Sequence, residues 1–310
     1  MAALPDCVRI VEVGPRDGLQ NEPTPIPTPD KVAFIRALAE AGLQWIEVTS
    51  FVHPARVPQL ADAGEVLAGV LASGPARPAT VFSALVPNAR GLERALAAGV
   101  PRIAVFTAAS ETFAQKNIGM SITQSLETFA PVVATARQRG LTVRGYVSTC
   151  FVCPYEGEID ADRVASICEA LAAMGCDEVA VSDTIGAAAP RDVQRVLDRV
   201  LRRIPLERVA LHFHDTYGTA LANVYAGLEL GVATFDASAG GLGGCPFAPG
   251  AAGNLATEDL VYFLDRMGIR SGVKLESVAA ASGEMARLIG RSLPSRQLQR
   301  LSRAALRPRD

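Results

Sequence analysis

The chain has almost no net charge. Its 30 basic and 32 acidic residues leave −2 at pH 7 over 310 positions. That balance supplies no cationic face for nucleic acid and no electrostatic pull toward an anionic membrane. Long apolar runs are missing too. Hydrophobic residues make up 49% of the chain, but no uncharged stretch approaches the ~18 residues that suggest a membrane-crossing helix. The first strand-like segment begins by Val8, which leaves no room for a secretory or transit peptide and points to a cytoplasmic protein. The six cysteines show no dense pairing pattern, as free thiols in a reducing compartment would not. Cys150 and Cys153 have redox-motif spacing but lack the helix start that lowers a thiol pKa, and Cys168 and Cys176 read as core. No phosphate-cradling P-loop appears, and no Gly-x-Gly-x-x-Gly turn follows the first strand.

What the chain does have is a regular alternation of strand and helix. Short runs rich in Val and Ile, of the kind buried in parallel sheets, fall at Val8–Val13, Trp45–Thr49, Thr80–Val86, Arg102–Phe106, Thr142–Ser148, Glu178–Ser182, Arg208–His214 and Thr234–Ala239. Helical stretches lie between them, such as Thr28–Ala41, which opens on a capping residue and a proline and stops at Gly42. Eight such units in about 250 residues predict a (β/α)8 TIM barrel, an α/β fold. The barrel is expected over residues 1–270. Residues 271–310 read as a C-terminal helical extension packed on or beside it.

Barrel enzymes work at the C-terminal ends of their strands. Arg16 and Asp17 follow the first strand, Asp183 ends the sixth, and His212 and His214 end the seventh. Cys245 and Asn254 lie in the loop after the eighth, in the glycine-dense stretch Gly240-Gly-Leu-Gly-Gly-Cys245-Pro-Phe-Ala-Pro-Gly-Ala-Ala-Gly-Asn254. Glycine lets such a loop reach conformations closed to other residues, so the thiol reads as a reactive group on a segment able to close. Residues i and i+2 of a strand share a face, so His212 and His214 project together. The chain has only three histidines, and spending two this way suggests a metal site. Two imidazoles with Asp17 and Asn254 make a nitrogen and oxygen donor set suited to octahedral Mg2+, with Mn2+ as the alternative. Period-2 alternation also turns Glu12, Glu47 and Arg144 inward, which predicts a paired polar network beneath the metal, since buried charges are costly alone.

The segments Val11-Glu-Val-Gly-Pro-Arg16-Asp17-Gly-Leu-Gln20-Asn-Glu22, Trp45-Ile-Glu47-Val-Thr-Ser-Phe, Arg144-Gly-Tyr146-Val-Ser, Cys153-Pro-Tyr-Glu-Gly, Val181-Ser-Asp183-Thr-Ile-Gly186 and Val209-Ala-Leu-His212-Phe-His214-Asp215-Thr-Tyr-Gly218 precede the Cys245 loop in that order. Together they resemble the hydroxymethylglutaryl-coenzyme A lyase family of metal-dependent TIM-barrel lyases, from about Val8 to about Gly268. The resemblance implies a retro-Claisen cleavage of a 3-hydroxy-3-methylglutaryl thioester to acetyl-CoA and acetoacetate. It implies Asp17, His212, His214 and Asn254 as metal ligands. Arg16 would stabilise the enolate oxygen, His212 or Asp17 would take the hydroxyl proton, and Cys245 would return a proton to carbon. Gln20, Glu47, Tyr146 and Asp183 match substrate-contacting or supporting positions, and Glu258, one helical turn past Asn254, would support that ligand. A homodimer and a place in leucine breakdown or ketone-body formation are also implied. A second proline in the loop, Pro249, departs from the family's more familiar pattern and leaves the acyl substituent open. Longer branched 3-hydroxyglutaryl thioesters are one alternative. A synthase condensing a 2-oxo acid with acetyl-CoA is another, which would not need the cysteine loop. A barrel that only binds a chelated ligand is the third.

Overall fold

A computed structural model describes residues 4–72, 74, 80–243 and 253–305. Cys245 and its neighbours through 252 lie outside the described residues. Along the chain run β1 (Arg9–Glu12), α1 (Thr28–Glu40), β2 (Trp45–Ser50), α2 (Ala63–Ala72), β3 (Val81–Leu85), α3 (Ala89–Ala97), β4 (Arg102–Ala108), α4 (Glu111–Ile118), α5 (Ile122–Gln138) and β5 (Thr142–Ser148). A two-stranded hairpin, β6 (Val152–Cys153) and β7 (Gly157–Glu158), comes next. Then follow α6 (Ala161–Met174), β8 (Glu178–Asp183), α7 (Pro190–Val200), β9 (Val209–Phe213), α8 (Ala220–Glu229), β10 (Thr234–Ala237), α9 (Thr257–Arg266), α10 (Leu275–Ile289) and α11 (Arg296–Ala305).

Eight parallel strands close in the order β1-β2-β3-β4-β5-β8-β9-β10, with β10 returning to β1. The chain is a (β/α)8 barrel. The short helix α4 is started by Ser110, whose hydroxyl accepts from the Phe113 N–H at 3.0 Å.

The strand residues divide by alternation. Ile46, Val48, Ile103, Val105, Val179, Val181, Leu211 and Phe213 face outward into the main core beneath the helices. The interior face holds a small apolar group, Leu85, Ala104, Tyr146, Ala180 and Ala210, and much of the rest is charged. At the base of the barrel Arg9 and Arg102 lie over Trp45, with Cζ at 4.8 and 4.4 Å from its ring centre, and both pair with Glu178.

Glu12 corrects the expected register. It shares the outward face with Ile10 and takes no part in a network with Glu47 and Arg144. The physical reason is the tight turn Gly14–Gly18, which resets the phase between β1 and Arg16, so alternation cannot be carried across it. The buried Glu12 carboxyl instead accepts from the N–H groups of Gly14 (2.8 Å) and Ala239 (2.9 Å) and from the Thr257 hydroxyl (2.6 Å). Nearby, both oxygens of buried Glu258 accept from the Gly240 N–H at 3.0 and 2.8 Å. These two side chains fix the start of the loop after β10. Gly240 has φ of 69°, and a Cβ there would lie 2.3 Å from Leu293 Cδ1, so no other residue fits. The segment between α10 and α11 therefore packs onto that loop, and Ser295 N–H donates to Gly240 O at 3.1 Å.

Burial pushes the Glu12 carboxyl up to about 7, against the pull of its three donors. The folded chain holds a proton that the unfolded chain releases near 4.5. Its stabilising contribution is complete below that value and is lost as pH rises through about 7. The displacement corresponds to about 3 kcal/mol. Glu12→Gln keeps all three contacts without the charge. Its thermal midpoint should decline less between about pH 5 and 8 than that of the unaltered protein, and an equal slope would contradict this.

Candidate active site and metal centre

The turn after β1 brings Arg16 and Asp17 to the mouth of the barrel. Arg16 is only 7% exposed. Its Nε donates to Glu47 Oε1, on β2, and its Nη1 to Asp17 Oδ1 at 2.6 Å. Glu47 Oε2 also accepts from the Tyr146 hydroxyl at 3.3 Å. The guanidinium carbons of Arg16 and Arg144 lie 5.5 and 4.8 Å from the Tyr146 ring centre. Burial by itself would lower the Arg16 pKa, but Glu47 and Asp17 outweigh it and hold the group charged.

Asp17 is the hub. Its Oδ1 also accepts from Gln20 Nε2 at 2.7 Å, and its Oδ2 from Asn254 Nδ2 at 2.9 Å. Burial alone would raise its carboxyl, but Arg16, His212 and His214 bring it down to about 2. His212 is on β9. His214 is one residue past that strand, bridged to Asn254. The two imidazole centres are 5.2 Å apart. Single donor atoms of Asp17, His212 and His214 all fall within 4.8 Å of one another. Burial and the neighbouring His212 lower the His214 pKa to about 3, so its ring is neutral and able to bind a cation.

Two atoms test whether a cation fits. His214 Nδ1 and Asn254 Oδ1 are buried and have no hydrogen-bond partner among the described residues. Buried polar atoms are rarely left so. Asn254 spends its Nδ2 on Asp17 and on Leu242 O (3.1 Å), which leaves the carbonyl oxygen for a ligand. Gly243, with φ of 115°, makes room for it: a Cβ there would lie 2.7 Å from Asn254 Nδ2. Two imidazoles, a carboxylate and a carboxamide oxygen fit a divalent cation.

The site opens into a cavity of about 800 Å³. Arg16, Asp17, Gln20, Tyr146, His212 and His214 line one side. Leu85, Phe106, Ile118 and Met120 form an apolar wall. Asp183 does not line it, although its neighbours Ser182 and Thr184 do. Its carboxylate is buried, accepts from the N–H groups of Ala187 (3.1 Å) and Ala188 (3.0 Å), and shapes the rim loop after β8. Burial raises it to about 6. Glu258 likewise acts on backbone, as described above. Arg144 is inside the barrel but meets Asp236 (2.5 Å), not Glu47. Asp236 was missed in the sequence. Its one signal was an acid in the strand Thr234–Ala239, on the same face as Thr234. Glu178, Arg102 and Arg9, which close the base, were missed for the same reason.

The family model described as HMGL-like matches residues 7–284. A Pseudomonas aeruginosa protein named 3-hydroxy-3-isohexenylglutaryl-CoA/hydroxy-methylglutaryl-CoA lyase is 49% identical over 298 residues, 96% of this chain and 98% of its own. The mitochondrial hydroxymethylglutaryl-CoA lyase of Bos taurus is 47% identical over 299 residues, 96% of this chain and 91% of its own. The crystal structure of hydroxymethylglutaryl-CoA lyase from Pseudomonas aeruginosa matches with a TM-score of 0.94 at 48% identity, covering 97% of this chain and 99% of that one.

The orphaned imidazole gives a direct check. His214→Ala should weaken Mn2+ binding, measured by calorimetry, by at least about 100-fold, the upper end of what losing a mere supporting partner costs. The thermal midpoint of the metal-free protein should hardly move. Mn2+ binding at unaltered affinity would remove His214 from the metal set.

Proposed function

The chain belongs to the HMGL-like family, and we propose that it is a carbon–carbon lyase. It cleaves (S)-3-hydroxy-3-methylglutaryl-CoA to acetyl-CoA and acetoacetate by a retro-Claisen route. The observation that carries this reading is the convergence of Asp17, His212 and His214 beside the buried cation Arg16, on a cavity roomy enough for an acyl thioester. The near full-length likeness to proteins named for that reaction supports it.

Asp17, His212, His214 and Asn254 would hold Mg2+, with Mn2+ as the alternative, since the donors are oxygens and imidazoles without thiolate. When bound there, such a cation would make the hydroxyl of a 3-hydroxyacyl group more acidic. The hydroxyl proton goes to one of the groups bordering it. Asp17, held at about 2, is a weak base; His212 is the other candidate, and its one bare ring nitrogen takes the proton only while it is not holding the cation. As the oxygen becomes a ketone, the C2–C3 bond breaks and its electron pair passes into the thioester as an enolate. Arg16 faces the cavity with a charge that Glu47 and Asp17 hold in place, and it meets the enolate oxygen without having to reorganise. The enolate carbon then takes a proton from Cys245, and the proton gained by the base restores the thiol. Cys245 follows Gly243 by two residues, and Gly243 packs against Asn254, which supports its place in this step.

A second reading is favoured by the wall of Leu85, Phe106, Ile118 and Met120, which offers more apolar surface than a methyl group needs. The same site would then accept longer branched 3-hydroxyglutaryl thioesters, as the name of the Pseudomonas aeruginosa relative indicates for that protein. We also propose that residues 1–270 are the catalytic barrel and 271–310 its extension, that the chain forms a homodimer, and that it works in the cytoplasm. The packing of α10 against α1 and α9 supports the first, and the family resemblance supports the second. Free thiols at Cys7, Cys150, Cys153, Cys168 and Cys176 support the third. No helix of the described residues is long and apolar enough to cross a membrane.

The deciding experiment offers the methyl-branched thioester with Mg2+ and follows acetoacetate. Release that stops on chelation is expected, and no release under either condition would refute the lyase. Arg16→Lys keeps the charge but loses the planar fork that engages Glu47 and Asp17 together. Turnover should fall by about 10²–10³-fold with little change in thermal midpoint. A variant within a few-fold of the parent would mean that Arg16 does not meet the enolate. Cys245→Ser should lower turnover by about 10²-fold while Mn2+ affinity holds, and normal turnover would remove the thiol from the proton transfer.

A further inference from the structure

Asp236 and Arg144 have no part in the reaction as derived so far. Asp236, on β10, pairs in register with His212 on the neighbouring strand β9. Its side chain is fully buried, and its two oxygens serve different partners. Oδ2 lies 3.1 Å from His212 Nδ1, and Oδ1 lies 2.5 Å from Arg144 Nη2. Arg144 Nη1 is 3.4 Å from Glu178 Oε1, which also pairs with Arg102 at 2.9 Å. Charges of alternating sign thus climb the barrel axis from its base to the imidazole, and each buried ion has an opposite neighbour.

We propose that Asp236, held by Arg144, is the positioning residue that fixes His212 as its Nδ1–H tautomer and aims the lone pair of Nε2 into the cavity. A carboxylate can only accept, so the ring nitrogen facing it must donate. In a neutral imidazole the other nitrogen is then the bare one. Turning the ring away would leave a buried carboxylate oxygen without its donor, which costs more than the bond itself contributes. Arg144 engages the second oxygen, so Asp236 cannot rotate to follow a misplaced ring. The two imidazoles are therefore unequal. His212 is set in advance by the chain, whereas His214 has no hydrogen-bond partner on Nδ1 among the described residues. A metal ligand and a proton acceptor both need the bare nitrogen that Asp236 provides.

The inference rests on the reading of His212 as a working member of the site, but its test does not depend on turnover. With three histidines, His53, His212 and His214, the ring-nitrogen spectrum of protein labelled with ¹⁵N-histidine is simple. Single substitutions assign it. In metal-free protein at about pH 8, His212 should show a protonated Nδ1 and a bare Nε2, the neutral tautomer. Asp236→Asn sets up a conflict, because a carboxamide has one oxygen for two donors. The charged Arg144 takes that oxygen, and the amide N–H then meets Nδ1 and drives the ring proton to Nε2. The variant should show that tautomer switch and a loss in Mn2+ affinity of about 10–100-fold, with His53 signals and thermal midpoint unmoved. A role confined to holding the barrel together would lower the midpoint without switching the tautomer.

Nε2–H in the unaltered protein overturns the proposal, and that measurement stands even if every variant fails to fold. So does an Asp236→Asn protein with the original tautomer and Mn2+ affinity within about two-fold. Should the unaltered protein bind no Mn2+, the metal reading falls, while the tautomer of His212 still decides the role of Asp236.

Discussion

Burying a guanidinium costs several kcal/mol unless carboxylates meet it, and at the mouth of this barrel Glu47 and Asp17 meet Arg16 from two sides. That arrangement sets the conditions for the rest. Glu47 is fixed by Tyr146, and Asp17 by Gln20 and Asn254, so the cation cannot move without unpairing several buried groups. Arg16 holds Asp17 ionised against its burial, and an ionised Asp17 is what a divalent cation requires of it. The organising charge therefore prepares both halves of the site, the positive one for an enolate oxygen and the negative one for a metal.

Beneath it, the interior departs from the branched aliphatic layers usual in such barrels. Arg102, Glu178, Arg144 and Asp236 are buried and stacked in alternating sign, ending at His212. Such pairs are weak evidence for stability, because desolvation offsets much of the attraction. Their value is geometric. Each fixes the orientation of the next in a low-dielectric setting, where a misplaced polar group is heavily penalised. Main-chain contacts do the same for the loops: Glu12 and Glu258 hold the start of the segment after β10, and Asp183 holds the rim after β8.

Much of this was legible in the sequence, and the limits have physical causes. Strand-end placement brought Arg16, Asp17, His212 and His214 to one rim because a parallel barrel aligns every strand the same way. The His212–Phe213–His214 spacing gave a shared face directly. Glu12 was assigned to the wrong face because alternation holds only within a strand, and the turn at Gly14–Gly18 breaks it. Asp236 was passed over because its partners come from strands distant in sequence, and pairing register is a property of the closed sheet. Asp183 matches its motif, but only in the folded chain does its carboxylate meet the backbone N–H groups it serves. Pro249 and Cys245 fall outside the described residues, and their sequence context is what speaks for them.

The central claim is that this mouth breaks a carbon–carbon bond to an enolate and then protonates it. Turnover of the 3-hydroxy-3-methylglutaryl thioester in D2O, read by mass spectrometry of both products, tests this most directly. The account predicts acetyl-CoA carrying a single solvent deuteron in its methyl group, formed in equal amount with acetoacetate. Acetyl-CoA without deuterium, or substrate recovered intact while metal is bound, would contradict it.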